Sequence, residues 1–231
     1  MRALFGPDGA RRLEAFARRR VLLAFDFDGT LAPIVRYPHL ARPRATTRAL
    51  LRSLARRYPC AIISSRGLRD LLERAQGTGI RRVVGDHGAD AGRAAPRLAA
   101  EVRRWRGRLH EGIARIPGVV GEDKRFSVSV HYDDSPHPRL ARAAIAHLAR
   151  RFGKVRIVEE GHLTHVLPAD GPNKAAALER EMTHAHAADA IYVGDEASDE
   201  VVFGRRDPRV LTVRVGKSRA SAASQPCRNI A

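Results

Sequence analysis

Cysteine, lysine and aromatic residues are scarce in this 231-residue chain, and no apolar run in it is long. Two cysteines, Cys60 and Cys227, cannot build a disulfide framework or a four-ligand zinc site, so a reducing cytoplasm is the expected setting. Apolar stretches such as Val21 to Phe25 fall far short of the ~20 residues that cross a bilayer, and Asp26 ends that one; no membrane span is expected. The first residues include Arg2, Asp8, Arg11, Arg12 and Glu14 with no long apolar stretch between them, so no secretory signal is expected either. Aromatics make up 5% of the chain, which leaves few platforms for stacking nucleobases. What remains, 44% hydrophobic and 29% charged residues, is ordinary globular composition, enough for one sizeable core and a second small module.

The net charge of +17 invites a nucleic-acid reading. Its distribution argues otherwise. Only Lys124, Lys154, Lys174 and Lys217 are lysines, and the 38 arginines run from Arg2 to Arg228 without gathering in a tail or stripe. A nucleic-acid partner is therefore not expected, although a positive field attracts phosphorylated small molecules.

Short apolar runs alternate with helical periodicity at both ends of the chain. Val21 to Phe25, Ala61 to Ile63, Arg81 to Val84, Ala190 to Val193 and Val210 to Val215 read as strands. Helices are read at Arg11 to Arg20, Thr46 to Tyr58, Arg66 to Gln76 and Asn173 to His186. That alternation predicts an α/β fold: a Rossmann-like open parallel sheet with right-handed crossovers. The rhythm changes in the middle. A helix near Leu98 to Ile116 precedes Val119 to Glu122 and the alternating Phe126 to Tyr132. Another, Arg139 to Phe152, precedes Val155 to Val158 and Leu163 to Leu167. Two helix–hairpin units in succession predict a small inserted α+β module, with a catalytic core over 1–95 and 170–231 and the insert over 96–169. The tail from Ser218 to Ala231 reads as loosely ordered or as a short helix.

The chemistry concentrates where strands end. Asp26-Phe27-Asp28-Gly29-Thr30-Leu31 follows the first apolar strand, at the edge where open α/β sheets hold ligands. Residues two apart on extended backbone point to one side, about 6.6 Å apart, so Asp26 and Asp28 can face one reacting group. A calcium loop would need more acidic positions and a late bidentate Glu, which Ala32-Pro33-Ile34 does not supply. A second acidic cluster, Gly194 to Glu200, follows Ile191-Tyr192-Val193 in the same way. If both strands end on one edge, Asp195 and Asp199 converge on Asp26 and Asp28. Carboxylates that close repel unless a cation lies between them, and hard oxygen ligands beside a phosphate favour Mg²⁺. Ser64, at the end of the second strand, can bind phosphate oxygens, and Lys174, opening the helix after the insert, can balance their charge.

The ordered set DFDGTL, IISSR, NKAAAL and YVGDEASDE resembles the four motifs of the haloacid dehalogenase superfamily. Within it, LAPIV, GDHGAD, the EDK and SVSVHY segments and the position of the insert resemble the trehalose-6-phosphate phosphatase family over nearly the whole chain. The resemblance implies a Mg²⁺-dependent phosphatase with the haloacid dehalogenase type of core and an α+β cap. Asp26 then matches the nucleophile and Asp28 the general acid/base. Asp26, Asp28 (through its backbone carbonyl), Asp195 and Asp199 match the metal site, and Ser64 and Lys174 the phosphate-positioning pair. Ser65, Arg66, His87, Glu122, Lys124 and His131 match substrate-contacting positions. The implied substrate is a phosphorylated sugar, first of all trehalose 6-phosphate, hydrolysed by a cytoplasmic monomer. The alternatives are a related phosphatase for another sugar phosphate and a noncatalytic binder of phosphate or nucleic acid.

The chain departs from the family's pattern at several positions. Ser65 and Ala175 stand where glycines are usual, and Glu196 and Ser198 vary the last motif conservatively. Asp133 stands for an Arg, His165 for a Glu, and GDHG with Asp90 for GNHG with a final Glu. A polar partner left unpaired by such exchanges costs about 1–3 kcal/mol, so they bear on which sugar is accepted.

Overall fold

The structure is a computed structural model that describes residues 4, 6–35, 37–89, 93–171, 173–216, 221, 223 and 225–227. It divides into two compact units, Met1–Gly88 with Asn173–Ala231, and Ala89–Pro172.

The first unit is built on six parallel strands in the order β10-β9-β8-β1-β2-β3. β1 (Val21–Phe25) and β2 (Cys60–Ile63) are almost wholly buried, as continuous apolar runs in a two-sided parallel sheet must be. β3 spans Arg82–Val84, β8 Asp189–Gly194, β9 Val210–Val215 and β10 Gln225–Cys227. The helices are α1 (Pro7–Ala17), α2 (Ala45–Ala55), α3 (Leu68–Arg74), α6 (Lys174–His184) and the single turn α7 (Glu200–Phe203). Leu23, Phe27, Leu51, Ile62, Leu71 and Leu211 belong to one buried cluster.

The second unit is a four-stranded antiparallel sheet in the order β4-β5-β7-β6, formed by Val120–Asp123, Val128–His131, Leu163–Pro168 and Val155–Glu160. α4 (Ala95–Ile113) and α5 (Pro138–Arg150) pack on one face, where Trp105, Leu109, Val128, Val130, Ile145 and Val166 form the core. The pleat sends alternate residues the other way. Glu122 is in register with Ser129, and Ser129 with His165, so the face away from those helices is polar.

Several sequence expectations shift. The insert begins at Ala89 rather than 96 and ends at Pro172 rather than 169. α1 begins at Pro7, not Arg11, because proline is favoured in a first turn where its missing N–H has no partner to lose. The helix expected from Arg66 starts at Leu68, which leaves Ser64 to Gly67 as a loop. In the tail, residues 225–227 form a strand beside β9 instead of loose chain or a short helix. Asp90 lies outside the described residues.

Candidate active site

Strand register brings the acidic segments together. Phe25 lies opposite Val193, and the Asp26 amide donates to the Val193 carbonyl at 2.8 Å, so both motifs leave the sheet at neighbouring points. The chain fills β2 and β3 on one side of β1 and β8 to β10 on the other. This is the switch point at which open α/β sheets hold ligands.

Carboxylate oxygens of Asp26, Asp195 and Asp199 lie within 4.8 Å of one another. Lys174, the first residue of α6, donates from Nζ to Asp26 Oδ1 at 2.7 Å and to Asp199 Oδ1 at 2.9 Å. All three side chains are fully buried. Asn173 caps the helix by accepting from the Ala176 amide at 3.0 Å, which fixes where Lys174 begins. Burial drives the Asp26 carboxyl well above its ordinary range; Lys174 opposes this and Asp199 adds to it. Burial works against the Lys174 ammonium, yet Asp199 and Asp26 outweigh it and hold that group well above its usual value. Burial likewise pushes Asp195 up to about 6, with the Thr30 hydrogen bond opposing.

This donor set suits a hard divalent cation. Asp26 Oδ2 is buried with no hydrogen-bond partner among the described residues, and a bare buried oxygen is costly. Three oxygen donors this close can share one ion, which offsets their repulsion. Gly29 allows the approach: at φ +72°, an added Cβ would sit 1.9 Å from Asp195 Oδ2.

The Asp28 side chain has different partners. Arg66 grips both its oxygens, Nε to Oδ2 at 2.6 Å and Nη2 to Oδ1 at 2.7 Å, and holds Asp70 through Nη1 at 2.7 Å. The Arg66 guanidinium also lies over the Phe27 ring at 5.7 Å. Burial weakens this cation, but Asp28 and Asp70 outweigh it. The Asp28 carboxylate is thus not part of the close acidic triplet. Ser64 and Ser65 follow β2 in a buried loop, where Ser64 Oγ accepts from the Arg66 amide at 3.2 Å. His87 comes to the same loop, its amide donating to the Ser64 carbonyl at 2.9 Å. His87 and its neighbour Asp86 are both buried with φ of 56° and 45°, a left-handed conformation that non-glycine residues adopt at a cost.

In the second unit, His131 Nε2 lies 3.1 Å from Glu122 Oε2, and Lys124 Nζ lies 4.0 Å from the same oxygen. The His131 contact, with Lys124 adding to it, holds the Glu122 carboxyl below its ordinary range. His165 is buried between Ser129 Oγ at 2.7 Å and Glu160 Oε2 at 3.1 Å, and burial lowers its pKa.

Sequence reasoning passed over three supporting side chains. Thr30 donates to Asp195 Oδ1 at 2.9 Å, and Tyr192 donates to Asp199 Oδ1 at 2.7 Å. Asp70 braces Arg66, and its spacing of four residues was a visible signal for that contact. Tyr192 gave none, since within β8 it reads as one more apolar strand residue.

The trehalose-phosphatase family profile matches residues 24–226. A trehalose-phosphate phosphatase from Mycolicibacterium paratuberculosis is 34% identical over 220 residues, covering 85% of this chain and 55% of the relative. The chain thus spans about half the length of that relative. The C-terminal domain of C. albicans trehalose-6-phosphate phosphatase superposes with a TM-score of 0.77 at 20% identity, covering 98% of this chain and 93% of that one. A subclass IIB sugar phosphatase of the haloacid dehalogenase superfamily superposes with a TM-score of 0.60 at 14% identity, covering 90% and 93%. These superpositions establish the haloacid dehalogenase type of fold. With the profile spanning both acidic motifs and the insert between them, the chain belongs to the trehalose-phosphatase family.

Proposed function

We propose that this protein is a Mg²⁺-dependent phosphomonoester hydrolase that releases phosphate from trehalose 6-phosphate in the cytoplasm, acting as a monomer. The observation that carries the reading is the convergence of buried Asp26, Lys174 and Asp199 with half-buried Asp195 at the switch point of the sheet. Mg²⁺ bound by Asp26, Asp195, Asp199 and the Asp28 backbone carbonyl would supply positive charge facing the phosphate.

Asp26 is the nucleophile. Its carboxylate oxygen bonds to phosphorus as the bond from phosphorus to the sugar oxygen breaks, leaving an aspartyl-phosphate. Asp28 gives its proton to the departing oxygen, then takes one from the water that attacks phosphorus and frees Asp26 and inorganic phosphate. The Arg66 fork occupies both Asp28 oxygens, so Arg66 has to release them when substrate arrives. A phosphate group offers that guanidinium an alternative partner. Ser64 and Lys174 position the phosphoryl group, with Lys174 reducing its repulsion from the carboxylates. Ser65 and His87 border the phosphate site. The inserted unit acts as a cap, with Glu122, Lys124 and His131 contacting the sugar.

Two positions favour a second reading, a phosphatase for another phosphorylated sugar. Asp133 carries negative charge where the family pattern has an arginine, and His165 is tied to Ser129 and Glu160. A phosphate-release panel of sugar phosphates, with Mg²⁺ and with EDTA, tests both. Turnover of trehalose 6-phosphate above other sugars, abolished by EDTA, is the expected result. Equal rates on many sugars would remove the trehalose assignment, and no release from any would remove the activity.

A further inference from the structure

A cavity lies at the opposite edge of the parallel sheet. It is open to solvent and has a volume of about 670 Å³, within the roughly 300–1,000 Å³ usual for small-molecule sites. Its walls come from the start of β1, β2 and β3 and from the carboxyl ends of α2 and α6. Lys174 opens α6 and His184, at its other end, lines this cavity; at ~1.5 Å per residue those ends are ~15 Å apart. The cavity is therefore separate from the candidate active site.

Its charge is one-sided. Arg52, Arg56, Arg81 and Arg82 line it with His184, and Glu181 is the one carboxylate among the lining residues. Glu181 is already neutralised: Arg82 binds it with two hydrogen bonds, of 2.7 and 2.9 Å. Arg52 donates to the Gly77 carbonyl. The guanidinium groups of Arg56 and Arg81 have no hydrogen-bond or ion-pair partner among the described residues. Cations at a helix carboxyl end offset its exposed carbonyls, which accounts for Arg52 and Arg56 on α2. It does not account for Arg81, which arrives just before β3. Tyr58 and Ile80 add apolar surface to the same lining.

We propose that this cavity binds a phosphate-bearing small molecule of nucleotide size, its phosphates between Arg56 and Arg81 and its flat apolar part against Tyr58 and Ile80. Arginine forks suit phosphate oxygens, and apolar surface in the same lining favours a nucleotide over free phosphate.

The test is calorimetric titration of the full chain, carrying Asp26→Asn to suppress turnover, with ADP and separately with inorganic phosphate. One ADP should bind per chain, at least about tenfold more tightly than phosphate. Arg56→Ala with Arg81→Ala should weaken ADP by about tenfold or more, while lysines at both positions should retain most of the affinity. In an otherwise unaltered chain, the alanine pair should leave phosphate release unchanged, which verifies the fold. Absence of ADP binding, or equal ADP affinity with and without both arginines, would overturn the proposal. Because the readout is binding, a failure here leaves the phosphatase reading intact.

Discussion

The Lys174 ammonium bridges two buried carboxylates, 2.7 Å from Asp26 and 2.9 Å from Asp199, although these residues are 148 and 25 positions away in the chain. Removing one partner from such a group strands the others. Lys174→Met keeps much of the volume and removes the charge, so it is expected to cost about 3–5 kcal/mol of stability. Phosphate release should fall by about 100-fold or more, since the repulsion between carboxylate and phosphate is no longer offset. Urea unfolding and a rate measurement on the folded fraction separate the two effects. A variant with normal stability and rate would show that the bridge is unimportant.

Gly29 gives a second, more local expectation. A methyl group there meets the Asp195 carboxylate at 1.9 Å, and φ of +72° disfavours any side chain by about 1–2 kcal/mol. Gly29→Ala should displace Asp195 and weaken Mg²⁺ binding by about tenfold or more, read by calorimetry. Unchanged affinity would mean that Asp195 is not a ligand.

Acid should loosen the Arg66 brace. Burial would raise the Asp70 carboxyl, but Arg74 and Arg66 outweigh it and hold it below the ordinary value. The stabilisation is then complete above the unfolded value of ~3.9 and is lost as pH falls through the lower, folded one. Asp70→Asn should therefore lose stability at pH 7 and lie closer to the unaltered protein near pH 3. Thermal unfolding at both values checks this, and an equal gap at both would contradict it.

Much of this site was legible in the sequence because parallel strands are short, continuous and apolar, and ligands gather where they end. Asp26 after Val21 to Phe25 and Asp195 after Ile191 to Val193 needed only that rule. Lys174 followed from its motif and from its place at a helix start. What stayed hidden depends on long-range packing. Arg66 reaches back 38 residues to Asp28, a contact no local periodicity encodes. Tyr192 joins a polar network from a position that looks like core. Helix and strand ends moved by a few residues where capping decides them, as at Pro7 and Asn173.

The most direct measurement asks whether phosphorus becomes bonded to Asp26. Enzyme mixed with trehalose 6-phosphate and Mg²⁺, quenched in acid during turnover and reduced with borohydride, should carry homoserine at position 26 by peptide mass spectrometry. Asp26→Asn should give neither that product nor phosphate release while remaining folded. Steady phosphate release with aspartate intact at position 26 after reduction, or a homoserine at another aspartate, would contradict the assignment.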